Sequence, residues 1–271
     1  MSSSAEAGVV VKLGGSVVTE KGAAEPKVRA ELVRRLAGEI ATNAPRPLVL
    51  VHGAGSFGHR IVHRTGLHQG LGDDDESRLA LGETQRLQYE LDQAIAALLL
   101  EAGLPVMPCQ ASASAAMVDG VLETMDTEAL RLMIDAGMIP LLYGVPAMDR
   151  RRGCAILSGD QIAPFVAARL GIRALIHATD VDGVFESDPA SDPAARRIDR
   201  IDKSNWETVR GRLRGSRAVD VTGGMAGKVE ALLALARAGL RTRIIDATIP
   251  GRLGEALAGR PVGTLVTWEE P

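Results

Sequence analysis

The chain has 271 residues, of which 46% are hydrophobic and 24% charged, as in globular enzymes with a sizeable core. A net charge of −3 and 3% aromatic residues provide neither a basic surface nor stacking side chains, so we expect no nucleic-acid partner. No apolar run reaches membrane-spanning length and the N-terminus has no secretory pattern, so we expect a cytoplasmic protein that binds no membrane.

The first predicted strand begins at Gly8 and ends in the turn Gly14-Gly15-Ser16. Lys12 lies inside this strand, where its ammonium group needs a partner, and a phosphate held by the glycine turn would supply one. The alternative is an edge strand with a solvated lysine. Lys21 follows the turn and, taken alone, would be a surface residue.

A helix is predicted from Pro26, because Val28, Leu32, Leu36 and Ile40 recur at every fourth position. The next strand, Leu48 to His52, again ends in glycines. A helix that begins at Ser56 would point its free N–H groups at the same place, which favours a phosphate site.

This second turn also matches the dinucleotide fingerprint, with glycines at positions 53, 55 and 58. That fingerprint requires an acidic residue about 20 positions on, at the end of the next strand. Asp73 to Asp75 lie at the right distance, but the residues before them do not have a strand pattern. A phosphate-binding turn is therefore the favoured interpretation, with a dehydrogenase as the alternative.

His59 directly follows the second turn, and three interpretations stay open for it: an anion donor, a structural histidine or a metal ligand. Its neighbours His52, His63 and His68 make a metal site conceivable, but no carboxylate has the spacing of a zinc hydrolase. We favour the anion donor. The apolar spacing from Asp73 to Gly103 predicts one or two long helices.

The C-terminal half continues the alternation of strands and helices. Asp160 either caps a helix that runs from Gln161 to Leu170 or acts on nearby lysines. Lys228 lies in the first turn of a helix that follows Gly223-Gly224, so its ammonium would project toward free glycine N–H groups. Further elements are predicted as a helix at 127–136, a strand at 138–142, a hairpin at 144–157, strands at 173–179, 241–246 and 263–267, a short helix after Pro250 and a polar loop at 186–200.

Such alternation predicts a mainly parallel sheet covered by helices, with ligands at the carboxyl ends of the strands. Both glycine turns follow such ends. Six segments together resemble the amino acid kinase superfamily, and within it the isopentenyl phosphate kinases most closely. In chain order they are Lys12-Leu13-Gly14-Gly15-Ser16, Thr19-Glu20-Lys21, His52 to His59, Ser158-Gly159-Asp160, Thr179 to Gly183 and Asp220 to Lys228.

The resemblance implies an α/β fold, an open αβα sandwich in one continuous compact unit. An N-terminal lobe, 1–171, would bind the phosphoryl acceptor and form a homodimer, and a C-terminal lobe, 172–271, would bind ATP. The implied reaction is transfer of the γ-phosphoryl group of ATP to isopentenyl phosphate, with dimethylallyl phosphate as a further candidate acceptor. Mg²⁺ would bridge ATP oxygens with few direct protein ligands.

The resemblance also assigns residues to roles. The implied catalytic set is Lys12, Lys21, Asp160 and Lys228, with Lys21 on the transferring group and Asp160 orienting the lysines. The residues implied around ATP are Lys12, Leu13, Gly14, Gly15, Ser16, Gly55, Asp180, Gly183, Gly224 and Lys228. The acceptor would be held by Ala54, His59 and Gly159. Ala54 stands where close relatives usually have a third glycine, which is tolerable if its backbone is not left-handed.

Two other functions stay open. A fosfomycin-type antibiotic kinase also transfers to a phosphorus oxyanion and also has a glycine turn that ends in histidine, but the segment from Asp220 to Met225 is closer to the isopentenyl phosphate pattern. A non-catalytic nucleotide or metabolite sensor would not need Lys12, Lys21, Asp160 and Lys228 together.

Overall fold

The computed structural model describes residues 8–21, 25–187, 189, 192, 194–215 and 224–269. Its centre is an eight-stranded sheet in which only one neighbouring pair, the last two strands along the chain, is antiparallel. In spatial order the strands are β12 (Arg200–Ile201), β14 (Thr264–Val266), β13 (Arg241–Asp246), β9 (Ala174–Thr179), β1 (Val9–Leu13), β2 (Leu48–His52), β6 (Ile139–Tyr143) and β3 (Val106–Cys109). The predicted α/β class and mainly parallel sheet are confirmed.

Helices cover both faces of this sheet. They are α1 (Gly15–Val18), α2 (Ala30–Asn43), α3 (Gly55–Thr65), α4 (Asp75–Glu101), α5 (Glu128–Asp135), α6 (Gly159–Leu170), α7 (Trp206–Gly215), α8 (Gly224–Arg237) and α9 (Arg252–Leu257). None of these described helices is long and apolar enough to cross a membrane.

Alternation along β1 distributes its side chains between two cores. Val9, Val11 and Leu13 pack in a core with α2, α4 and α9, whereas Val10 packs in a second core with α6. Lys12 shares the side of Val10, because successive side chains of a strand point to opposite faces. The sequence thereby directs the ammonium of Lys12 toward α6.

A second sheet lies beside the first and contains the predicted hairpin at 144–157. Its strands, in spatial order, are β5 (Val121–Met125), β4 (Ala115–Val118), β7 (Val145–Asp149) and β8 (Gly153–Leu157). The hairpin prediction is confirmed, but β4 and β5 had no clear alternating pattern and were not predicted.

Two predictions require correction. The helix expected from Pro26 begins only at Ala30, because Val28 instead forms an antiparallel bridge with Thr19 that holds the chain extended. The segment expected to be a loop at 186–200 contains strand residues, since β11 (Arg197–Ile198) pairs with β10 (Val184–Phe185) and Arg200 begins an edge strand. Helix α7 was not predicted either.

The large sheet is continuous across the expected lobe boundary. Strand β1 pairs with β9 in parallel register, so Val10 to Leu13 lie beside Leu175 to Ala178. The division at residue 171 into an acceptor lobe and an ATP lobe therefore stays a prediction about function.

Candidate active site

The two glycine turns are in direct backbone contact at the carboxyl ends of β1 and β2. A Cβ placed on Gly15 would lie 2.6 Å from the nitrogen of Gly55, and one on Gly53 would lie 2.7 Å from the nitrogen of Gly15. Gly55 also has a φ of +51°, which disfavours a side chain. Glycine is therefore required here so that two remote segments can meet.

The hydroxyl group of Thr19 links the two turns by hydrogen bonds. It donates to the carbonyl of Gly15 at 2.8 Å and accepts from the amide of Ser56 at 3.0 Å. The first turn of α3 and the loop after β1 are thereby fixed to each other.

Lys12 and Asp160 form an ion pair beside the turns. Nζ of Lys12 lies 2.9 Å from Oδ1 of Asp160, and the Lys12 side chain is only 11% exposed. Nδ1 of His177 lies 3.4 Å from the same oxygen. Asp160 therefore acts on a buried lysine rather than as a helix cap, and the helix begins at Gly159 with no side-chain cap.

Asp180 forms hydrogen bonds with both Lys21 and Ser16, which follow strand β1. Its Oδ2 accepts from Nζ of Lys21 at 2.7 Å and its Oδ1 accepts from the hydroxyl of Ser16 at 2.9 Å. Burial alone would raise the pKa of Asp180, but the hydrogen bonds from Lys21 and Ser16 and the charge of Lys21 outweigh it and lower that pKa. Asp180 thus holds Lys21 next to Ser16, although the side chain of Lys21 is 72% exposed.

The amino end of α6 reaches the second turn. A Cβ on Gly159 would contact the carbonyl oxygen of His52 at 3.4 Å and Cε of Lys12 at 3.5 Å. Ala54, the N-cap of α3, has φ −67° and ψ −28°, so its methyl group stands on ordinary helical backbone. The tolerance expected for alanine at this position is confirmed.

Three further expected residues have a defined backbone place only. His59 lies in the second turn of α3, and Gly224 and Lys228 lie in the first turns of α8. The side chains of His59 and Lys228, and the whole segment 216–223 that precedes α8, lie outside the described residues. Their expected contacts stay predictions.

Some expected nucleotide residues have structural contacts of their own. The side chain of Leu13 is buried in the core, and its carbonyl accepts from the amide of Gly53 at 2.9 Å. The amide of Gly14 donates to Ala178 at 2.8 Å, so it is already used. Gly183 packs against Thr264, where a Cβ would lie 2.3 Å from the hydroxyl oxygen.

Sequence reasoning missed two features of this region. The guanidinium of Arg29 donates to the carbonyl of Ser16 at 3.0 Å and so supports the first turn. Beneath the second turn, Nε2 of the fully buried His52 lies 3.3 Å from Oδ1 of the equally buried Asp92 on α4. The polar residues Thr84, Gln88 and Asp92 recur every fourth position on the buried side of α4, which was the available signal.

The second turn was also open to interpretation as a dinucleotide site, and the nearby histidines as a metal site. Asp74 caps α4 and Asp75 begins it, so these acidic residues do not end a strand as a dinucleotide site requires. Within the described part of the chain, no group of three or more histidine, cysteine or acidic residues has the arrangement of a metal site. His52 instead stacks on Tyr143, with ring centroids 5.5 Å apart.

This arrangement is suited to a row of phosphates. The side chains of Lys12 and Lys21, the amino end of α6 and the two glycine turns lie together at the carboxyl ends of the parallel strands. The carboxylates of Asp160 and Asp180 hold the two lysines in place. Transfer of a phosphoryl group requires mainly positioning and fixed positive charge.

Known proteins share this architecture. The sequence model of the amino acid kinase family matches residues 8–246. The chain is 36% identical over 266 residues to the isopentenyl phosphate kinase of Methanothermobacter thermautotrophicus, covering 96% of this chain and 98% of that protein. It is 28% identical over 275 residues to the isopentenyl phosphate kinase of Methanocaldococcus jannaschii, covering 96% and 99%.

Solved structures agree with the sequence comparison. X-ray structures of isopentenyl phosphate kinase include one that superimposes with a TM-score of 0.82 at 32% identity, covering 96% of this chain and 99% of the other. A substrate complex of an isopentenyl phosphate kinase superimposes with a TM-score of 0.77 at 26% identity, with coverage of 96% and 99%.

Proposed function

Because the chain belongs to the amino acid kinase family, we propose that it is a kinase that transfers the γ-phosphoryl group of ATP to isopentenyl phosphate. The products are isopentenyl diphosphate and ADP. The observation that carries the proposal is the contact between the two glycine turns beside the Lys12–Asp160 pair, in a chain similar to isopentenyl phosphate kinases over almost its whole length.

The reaction joins two anions, so fixed positive charge is the main requirement. Lys12 and Lys228 hold the β- and γ-phosphates of ATP, and Lys21 stabilises the transferring group. Asp160 orients Lys12, which its 2.9 Å ion pair supports. Asp180 holds Lys21 and Ser16 at the edge of the same turn, which keeps the lysine close to the phosphates before ATP binds.

The acceptor lies on the side of the second turn. The amides of Ala54 and Gly159 and the imidazole of His59 bind its phosphate, and the positive end of the α3 dipole adds to the attraction. No general base is needed, because a phosphate monoester is already an anionic nucleophile near neutral pH. Gly15, Gly55 and Gly224 supply the remaining nucleotide contacts, and Gly14 and Gly183, whose amides already donate to the carbonyls of Ala178 and Val181, border the nucleotide.

Mg²⁺ fits this site as a partner of ATP. When bound, it neutralises charge on the phosphate oxygens. The two carboxylates beside the turns, Asp160 and Asp180, are already held by Lys12, Lys21 and Ser16, which supports a metal bound chiefly by the nucleotide. A homodimer formed through the N-terminal lobe and a cytoplasmic location stay predictions.

One assay separates this proposal from its two alternatives. The protein is incubated with Mg-ATP and, in separate reactions, isopentenyl phosphate, dimethylallyl phosphate or fosfomycin, and ADP release is followed. Turnover on the prenyl phosphates supports the proposal. Turnover on fosfomycin alone identifies an antibiotic kinase, and nucleotide binding without turnover identifies a sensor.

A further inference from the structure

A cavity of about 650 Å³ opens toward the amino ends of the sheet strands, whereas the glycine turns lie at their carboxyl ends. It lies at the amino ends of β1, β9 and β13, and the last turn of α9 with the residues after it, 256–259, forms one wall. Its volume is in the range of small-molecule sites in proteins. Thr179, at the carboxyl end of β9, lies only three residues beyond Ile176, which lines the cavity, so the cavity is separated from the turns by roughly 10 Å.

Arg243 brings a charge onto an otherwise apolar part of this cavity. In the sheet it is paired with Ile176 on β9 and with Leu265 on β14, and all three residues line the cavity. Arg241, two positions earlier on β13, lines it as well. Because side chains alternate along a strand, both arginines point to the face that α9 covers.

The guanidinium of Arg243 has little compensation for its charge. It donates to the carbonyl of Val262 at 2.7 Å, and no described carboxylate forms an ion pair with it. Burial lowers the pKa of Arg243, and the positive charge of Arg197 lowers it further. A partly buried cation without a carboxylate is unfavourable, and an anion in the cavity would relieve it.

We propose that this cavity is a second ligand site, which binds an amphipathic anion with a carboxylate or phosphate head and a short hydrocarbon tail. The head accepts two N–H groups from the planar guanidinium of Arg243, a geometry that both head groups allow. The tail packs on Ile176, Leu257 and Leu265. An uncharged ligand of the same shape is rejected, because it would bury Arg243 further without offsetting its charge.

The test is calorimetric titration of the full chain with three probes of equal tail length: hexanoate, hexyl phosphate and hexan-1-ol. Because hexyl phosphate resembles the proposed kinase acceptor, each titration is repeated in a His59→Ala background, which removes the proposed acceptor-phosphate contact. Both anions should bind at least about tenfold more tightly than the alcohol, and the ratio between the two anions identifies the preferred head. Arg243→Met should weaken both anions by at least about tenfold. Arg260→Met, which removes an exposed arginine outside the cavity lining, should leave them unchanged.

Two further variants separate this cavity from the kinase site. Ala258 is exposed and lines the cavity, so Ala258→Phe should obstruct the tail and weaken binding without disturbing the core. Lys12→Met should leave anion binding at this cavity unchanged, because the side chain of Lys12 lies on the face of the sheet that α6 covers, whereas the cavity lies on the face that α9 covers. Equal affinity of the three probes, equal binding by Arg243→Met and the unaltered protein, or loss of binding in Lys12→Met would each overturn the proposal.

Discussion

The backbone of Gly15 lies directly against the backbone of Gly55, although 39 residues of chain separate them. A Cβ on Gly15 would lie 2.6 Å from the nitrogen and 2.7 Å from Cα of Gly55. This contact places the turn after β1 and the amino end of α3 side by side at the carboxyl end of the sheet, as the proposed transfer between nucleotide and acceptor phosphates requires.

Gly15→Ala should therefore separate the turns. Because the added methyl group meets backbone that cannot move aside, we expect a loss of about 1–3 kcal/mol in the free energy of unfolding. Gly38→Ala is the matched control, since Gly38 faces open space on α2 and alanine there should stabilise by up to about 1 kcal/mol. Urea denaturation measures both. Equal stability of the two variants would show that the turns are not in contact.

Lys21→Ala should lower kcat more than it raises the KM for either substrate. If Lys21 contacts the transferring group, as we propose, this contact belongs mainly to the transition state, and loss of one such donor lowers kcat by about 10²-fold or more. Lys27 is similarly exposed and similarly paired, with Glu20, so Lys27→Ala is the matched control and should be nearly unaffected. Steady-state kinetics with each substrate varied would contradict this role if KM alone changed.

His59→Ala should impair the use of the acceptor and spare ATP. If the imidazole binds the acceptor phosphate, the KM for isopentenyl phosphate rises while the affinity for ATP, measured by titration with a non-hydrolysable analogue, stays the same. His63→Ala, one turn further along α3, is the control and should behave like the unaltered enzyme. An equal loss of ATP affinity in His59→Ala would place this histidine on the nucleotide side.

Asp149 should make the stability of the β7–β8 hairpin depend on pH. Burial alone would raise its pKa, but backbone N–H groups of Gly120, Arg152, Arg151 and Asp119 outweigh it and lower the pKa to about 2, from a usual 3.8. The ionised form therefore stabilises the fold fully above about pH 4, and this contribution is lost as the pH falls toward 2.

Thermal unfolding of Asp149→Asn across this pH range tests the expectation. At pH 7 the variant should have a lower Tm than the unaltered protein, by roughly 2–4 °C for each kcal/mol lost. The difference should shrink below pH 4. Asp135→Asn is the control, because Asp135 is exposed at the end of α5. A Tm difference for Asp149→Asn that persists unchanged at pH 2 would contradict the assigned protonation.

Much of this architecture could be predicted because the sequence patterns are local. Short apolar runs that end in glycines predicted β1 and β2. Apolar residues at helical spacing, about every fourth position, predicted most of α2 and α4. The start of α2 was wrong because the Thr19–Val28 bridge is a contact between separate segments, which no local pattern records.

The site was predictable in its residue types but not in its pairings. A lysine inside a buried strand requires a partner, so Lys12 was recognised, yet its pairing with Asp160 depends on where α6 packs. The link from Lys21 through Asp180 to Ser16, and the buried contact of His52 with Asp92, likewise join residues that are remote in the chain.

The central claim is that remote segments converge to pass a phosphoryl group from ATP to an acceptor phosphate. Its most direct test follows ATP labelled at the γ-phosphate, in the presence of isopentenyl phosphate and Mg²⁺, for the unaltered enzyme and for Lys12→Met. We predict that the label moves to the terminal phosphate of isopentenyl diphosphate, with one ADP released for each product formed, and that Lys12→Met reduces this transfer by about 10²-fold or more. Labelled inorganic phosphate in place of labelled diphosphate, or equal transfer by Lys12→Met, would contradict it.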